Sequence, residues 1–245
     1  MSITIEICVA SIDGAVAAQV GGAHRVELNS ALPLGGVTPS SGLAAMVVRE
    51  LDIPVVSMLR PRESGFCYSD REFQVMRRDL DALLDAGVAG VAFGVLNQEG
   101  TIDVTRCEQL LSQFGSQEPV FHRAFDVVPD GVAALQVLKS LRVRRVMTSG
   151  LSATAIEGTG TIRQLVAEVG SDIEILVAGG VRPHNIADLI RATGCHQFHA
   201  ALLTDAVDPS MRSDHVSFSA QRSGNEHLYR TTDVEQVKAM MAAIA

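Results

Sequence analysis

Eight short stretches rich in β-branched and apolar residues recur along the chain, at 3–10, 24–28, 55–60, 90–95, 119–123, 144–148, 174–178 and 197–200. Between and after them lie helical patterns at 14–20, 41–51, 70–86, 104–114, 131–141, 161–169, 183–192 and 233–243. Strands that alternate with helices over short links must run parallel and be joined by right-handed crossovers. Eight such units are the number that closes a sheet on itself. Residues 1–245 are therefore predicted to form a single α/β domain, a (β/α)8 barrel of the TIM type. An open, doubly wound sheet shares the alternation but would more often carry a glycine-rich phosphate fingerprint after its first strand. Ile7-Cys8-Val9-Ala10-Ser11 carries none. Helix punctuation agrees with the barrel: Ser69 and Asp70 open the third helix, Gly87 follows it, and Pro183 stands where a first-turn proline is tolerated.

A barrel of this size needs a large core, and 47% hydrophobic with 20% charged residues supplies one without a signature of disorder. The formal net charge of −8 and the absence of any Lys/Arg block oppose a phosphate-backbone footprint, so nucleic acid is not an expected partner. Cys8, Cys67, Cys107 and Cys195 show no CxxC pairing in a chain too large to need disulfide staples, and they read as reduced thiols. The N-terminal segment lacks a basic region, and its apolar stretch is broken by Glu6 and Asp13, so it reads as a strand and not as a signal peptide. Residues 86–96 are too few and too glycine-rich to span a bilayer. A cytoplasmic location without membrane contact is the expectation.

Barrel enzymes place their chemistry at the strand exits. There Phe121-His122-Arg123-Ala124-Phe125-Asp126 sets an imidazole, a guanidinium and a carboxylate side by side. Alternation along strand one turns Thr4, Glu6 and Cys8 toward the lumen, and in the next strand Arg25, Glu27 and Asn29. Lumen carboxylates require partners, and Arg60, Arg62 and Arg123 near strand exits are the obvious ones. A plain ion-pair network is the competing account of Glu6 and Glu27. An imidazole ordinarily titrates where acid–base catalysis needs it, which makes His122 the expected acid or base, and Asp126 is close enough in sequence to orient it. His199 in the last strand adjoins strand one in a closed barrel and faces the same two readings, catalytic group or hydrogen-bonded core residue.

Val177-Ala178-Gly179-Gly180-Val181 followed by Arg182-Pro183 is a strand, a Gly-Gly turn and a helix start, placed where barrels commonly bind phosphate. Thr148 and Ser149 end the preceding strand with hydroxyls. With Arg60, Arg62 and Arg123 they suggest an electropositive mouth for a small anionic ligand. For a metal, Cys8, Cys67, Met58, His122 and His199 offer soft sulfur and imidazole, which suits Cu(I) better than Mg²⁺. Of the cysteines, Cys8 and Cys67 lie toward one barrel end.

Five strings carry a resemblance over nearly the whole chain: Arg25-Val26-Glu27-Leu28; Gly35-Gly36-Val37-Thr38-Pro39-Ser40; Arg60-Pro61-Arg62 with Gly65-Phe66-Cys67-Tyr68-Ser69; Phe121 through Asp126; and Thr148-Ser149-Gly150. In order and spacing they resemble the CutC family, described as copper homeostasis proteins. The resemblance implies a cytoplasmic, usually oligomeric barrel with a polar cleft at the C-terminal strand ends. It also implies copper handling, here as Cu(I) at Cys8 or Cys67. The chain departs from the family pattern in three places: Asn29 stands where a cysteine often follows Val-Glu-Leu, His24 replaces an aspartate, and Ala200 and Ala201 replace small hydroxyl residues.

Two further classes stay open beside copper handling. One is an enzyme of isomerase or lyase type, with Glu6, Glu27, His122 and Asp126 moving protons, Arg60, Arg62 and Arg123 holding an anionic substrate, and Gly179 and Gly180 capping a phosphate. The other is a binding protein without turnover, with the 65–69 segment as a lid or as a contact to a second subunit.

Overall fold

The computed structural model describes residues 2–212, 215–216 and 227–244. Eight parallel strands close a barrel in sequence order: β1 (Thr4–Val9), β2 (Arg25–Leu28), β3 (Val55–Met58), β4 (Gly90–Phe93), β5 (Glu118–Phe121), β6 (Arg145–Thr148), β7 (Glu174–Val177) and β8 (Gln197–Ala200). Around them run α1 (Ile12–Val20), α2 (Ser41–Glu50), α3 (Asp70–Asp85), α4 (Val104–Leu111), α5 (Gly131–Ser140), α6 (Thr159–Val169) and α7 (Ile186–Thr193), and α8 (Val234–Ala242) follows the last strand. β8 pairs with β1, so no strand edge is left in the barrel.

The helices begin where local chemistry starts them. Ser11, Ser40, Asp103, Asp130 and Asp233 each accept a first-turn backbone N–H. Ser69 and Glu72 form a reciprocal capping box at α3. The start of α7 differs from the sequence-based expectation, because Asn185 accepts the Arg182 N–H and closes a turn that holds Pro183 outside the helix.

Inward and outward faces alternate along each strand. Val91 and Phe93 join the main core between strands and helices, while Ala92 belongs to a separate cluster with Val56 and Val120. The outer layer buries Phe93, Phe121, Phe125 and Phe198 fully. Each such side chain stabilises the fold by roughly 1.5–3 kcal/mol relative to leaving it exposed.

One element has no counterpart in the eight-strand reading. β9 (Leu203–Val207) and β10 (Leu228–Thr232) form an antiparallel pair beyond the barrel, and Thr232 at its end packs on α1, where a Cβ on Gly14 would lie 2.9 Å from the Thr232 hydroxyl. Both strands are largely exposed, so no apolar run marks them.

Candidate functional site

Strand register builds the centre of the site. It sets Glu6 beside Arg25 on one side and His199 on the other, and Cys8 beside Glu27. All of these side chains are buried or nearly so. Arg25 Nε donates to Glu6 Oε2 at 2.5 Å, and Glu6 Oε1 lies 2.8 Å from His199 Nδ1. The other imidazole nitrogen, Nε2, is 3.8 Å from Glu27 Oε2. One ligand atom each from Cys8, Glu27 and His199 falls within 4.8 Å of the other two.

Below this group the barrel floor is tied by Arg25 to Gln197 and by Arg145 to Glu118 and Glu174. The sequence expectation that Arg60, Arg62 or Arg123 would neutralise the lumen carboxylates is corrected here. Arg25 and His199 are the cross-strand neighbours, and neighbours at strand register need no loop to reach.

Charge follows from these contacts. Burial alone would raise the Glu6 carboxyl, but Arg25 and the His199 imidazole bring it down to about 2. Burial alone would likewise deprotonate His199, and Glu27, Cys8 and Glu6 together hold it protonated well above 6.5. Glu27 is pushed up by burial and by Glu6, against the pull of His199. Burial also raises the Cys8 thiol. Arg25 and the protonated His199 thus stand against the Glu6 carboxylate.

Asn29 completes the group, its Nδ2 donating to Glu27 Oε2 at 2.9 Å and lying 3.3 Å from Cys8 Sγ. Its close neighbour Gly36 has φ +82°, and a Cβ there would stand 2.3 Å from Asn29 Oδ1. His24, where the family pattern has an aspartate, uses Nδ1 to accept the Ile5 N–H at 3.0 Å, a role open to a carboxylate as well.

His122 stands on the opposite wall. Its Nδ1 accepts the Ala124 N–H at 3.1 Å, and its ring lies 5.0 Å from that of Phe66. Burial and the Arg60 guanidinium hold it neutral, down to about 3. The expected pairing with Asp126 is absent: after β5 the chain turns through a short 3-10 helix, Arg123–Val127, which folds Asp126 away. Asp126 instead takes Thr148 Oγ1 at 2.6 Å, the Ser149 N–H at 2.9 Å and Arg123 Nε at 2.7 Å, stitching the ends of β5 and β6.

The other arginines are also engaged. Arg60 fastens three loop carbonyls, those of Leu34, Gly36 and Ser64. Arg62 pairs with Glu72 outside the cavity.

A cavity of about 540 Å³ opens at the carboxyl ends of the strands and brings together Cys8, Glu27, His122, Arg123, Asp126, Gly179 and Gly180, with Arg60 in its wall. Glu6, Arg62, Thr148, Ser149 and the exposed Cys67 do not line it. His199, weighed in the sequence as catalytic group, core residue or soft metal donor, also lines the cavity, and so does Arg182, which follows the Gly-Gly turn and had no role assigned to it. The resemblance marked Asn29 without a role.

Fold and site together define a (β/α)8 barrel protein whose reactive groups gather at the carboxyl ends of its strands. The chain belongs to the CutC family, whose sequence model matches residues 3–204. It is 45% identical over 213 residues to a family protein CutC from Treponema denticola, covering 87% of each chain. It is 38% identical over 239 residues to the human copper homeostasis protein cutC homolog, covering 97% of this chain and 88% of the relative. The solved CutC structure from Streptococcus agalactiae superposes with a TM-score of 0.78 at 32% identity, over 80% of this chain and 97% of that one.

Proposed function

We propose that the protein acts in copper homeostasis by holding Cu(I) between Cys8 Sγ and His199 Nε2. The observation that carries this reading is the convergence of a thiol, an imidazole and a carboxylate within 4.8 Å of one another. A soft sulfur with an imidazole suits Cu(I) and would suit Mg²⁺ poorly. Glu6 on Nδ1 orients the ring so that Nε2 faces Cys8 and Glu27, the arrangement in which a carboxylate fixes a ligating histidine. The human relative carries copper homeostasis in its name.

Binding displaces the proton of the Cys8 thiol and the proton on His199 Nε2, because Cu(I) takes a thiolate and a neutral imidazole. Asn29 supplies an amide donor beside Cys8 and Glu27, so the site has a single thiol.

The test is an anaerobic competition titration of reduced protein with Cu(I). Stoichiometric binding is expected, lost in Cys8→Ser and kept in Cys67→Ser. Because binding displaces protons from both ligands, affinity is expected to rise with pH. Binding indifferent to Cys8, or dependent on Cys67, would overturn the assignment.

A further inference from the structure

A cavity of about 540 Å³ is far more than one ion needs when its donors all lie within 4.8 Å. It falls within the range of sites that hold a small organic molecule, roughly 300–1,000 Å³. The side away from Cys8 presents several N–H groups that have no acceptor among the described residues. His122 is the clearest of them. Because its Nδ1 accepts a backbone N–H, its proton sits on Nε2. That Nε2 is buried and has no hydrogen-bond partner among the described residues. The ring cannot turn away: a Cβ on Gly94 would lie 2.5 Å from its Cε1, and Phe66 packs on its face.

Around the same cavity, Gly179 and Gly180 hold φ of +95° and +78°, and neither amide donates to another group among the described residues. Arg182 gives one N–H to the Val181 carbonyl and has no carboxylate partner among the described residues. Arg123 spends Nε and Nη2 on Asp126 and Ser149, leaving Nη1. A carboxylate has two oxygens for these donors, and a phosphoryl group has three. Asp126 is the carboxylate on this side, and Arg123, Thr148 and Ser149 already surround it.

We infer that this side of the cavity binds a small organic phosphate. Its phosphoryl group rests on Arg182, Arg123 and the amides of Gly179 and Gly180, and a hydroxyl or carbonyl oxygen of the same molecule accepts the His122 Nε2–H. The site is independent of the Cu(I) ligands. His122 serves it as a fixed neutral donor and not as a base, so the imidazole reads ligand oxygen while the guanidiniums read charge.

The experiment is calorimetric titration of the full, metal-free chain with ribose 5-phosphate, inorganic phosphate, ribose and malate. Ribose 5-phosphate is expected to bind more tightly than inorganic phosphate, and ribose and malate to bind weakly or not at all. Arg182→Gln should weaken both phosphates by about 10–100-fold, the worth of a hydrogen bond to a charged group. His122→Phe keeps a ring against Phe66 and should weaken ribose 5-phosphate toward inorganic phosphate while leaving inorganic phosphate unchanged. If that variant fails to fold, Arg182→Gln still decides. Absence of saturation by either phosphate, malate binding as tight as ribose 5-phosphate, or unchanged affinity in Arg182→Gln would overturn the proposal. Because the titration is run without copper, none of these outcomes bears on the Cys8 and His199 reading.

Discussion

Replacing Arg25 with methionine is expected to cost about 3–5 kcal/mol of stability, the usual penalty for leaving a buried charge without its partner. Glu6 is 1% exposed, and Arg25 supplies both its shortest contact and the link to Gln197 on the barrel floor. The aliphatic stem of methionine fills much of the same space, so the loss is electrostatic more than steric. Urea unfolding measures it. Adding Glu6→Gln to Arg25→Met should recover a large part, because the orphaned carboxylate is then gone. If the double variant is no more stable than the single one, the pair is not what holds this part of the barrel.

The second large effect concerns acid. His122 is held neutral down to about 3, below its ordinary 6.5, by burial and by Arg60. The unfolded chain takes up that proton from pH 6.5 downward while the folded chain does not. Stability is therefore lost as pH falls from 6.5 toward 3, by up to about 1.4 kcal/mol per pH unit. Glu6, lowered to about 2, adds a loss of the same sign below 4.5. Glu27, raised, runs the other way above 4.5, and His199, also raised, contributes stability that is lost as pH rises above 6.5 through its folded value. The His122 part is thus read as a difference between two chains. His122→Phe should flatten the wild-type loss between pH 6.5 and 4.5, and an unchanged difference in urea midpoint across that window would show that His122 is not buried neutral.

The barrel was legible because its signal is repeated eight times. Each strand carries β-branched apolar residues and each is followed by a helical pattern, so errors of one or two residues at the ends leave the topology intact. The β9 and β10 pair was not legible, since exposed strands with polar alternation differ little from a loop.

The site was legible in its residues and less so in their partnerships. Alternation turned Glu6, Cys8 and Glu27 inward, but register decides neighbours, and register across β1, β2 and β8 is a tertiary property. For that reason Arg25 was passed over for the arginines of the strand exits. His199, 193 positions from Glu6, received less weight than His122 beside its apparent carboxylate partner. Asp126 misled because the spacing suggests reach while the 3-10 turn after β5 aims it at Thr148 and Ser149. Arg60 and Arg62 were expected to neutralise the lumen carboxylates, but a guanidinium at a loop fastens carbonyls as readily, and both do so here.

X-ray absorption at the copper K-edge on protein loaded anaerobically with one equivalent of Cu(I) tests the copper site most directly. The expected spectrum shows one sulfur and one imidazole nitrogen, from Cys8 and His199, and the sulfur disappears in Cys8→Ser. A shell without sulfur, or one with two sulfurs that requires Cys67 beside Cys8, would contradict it.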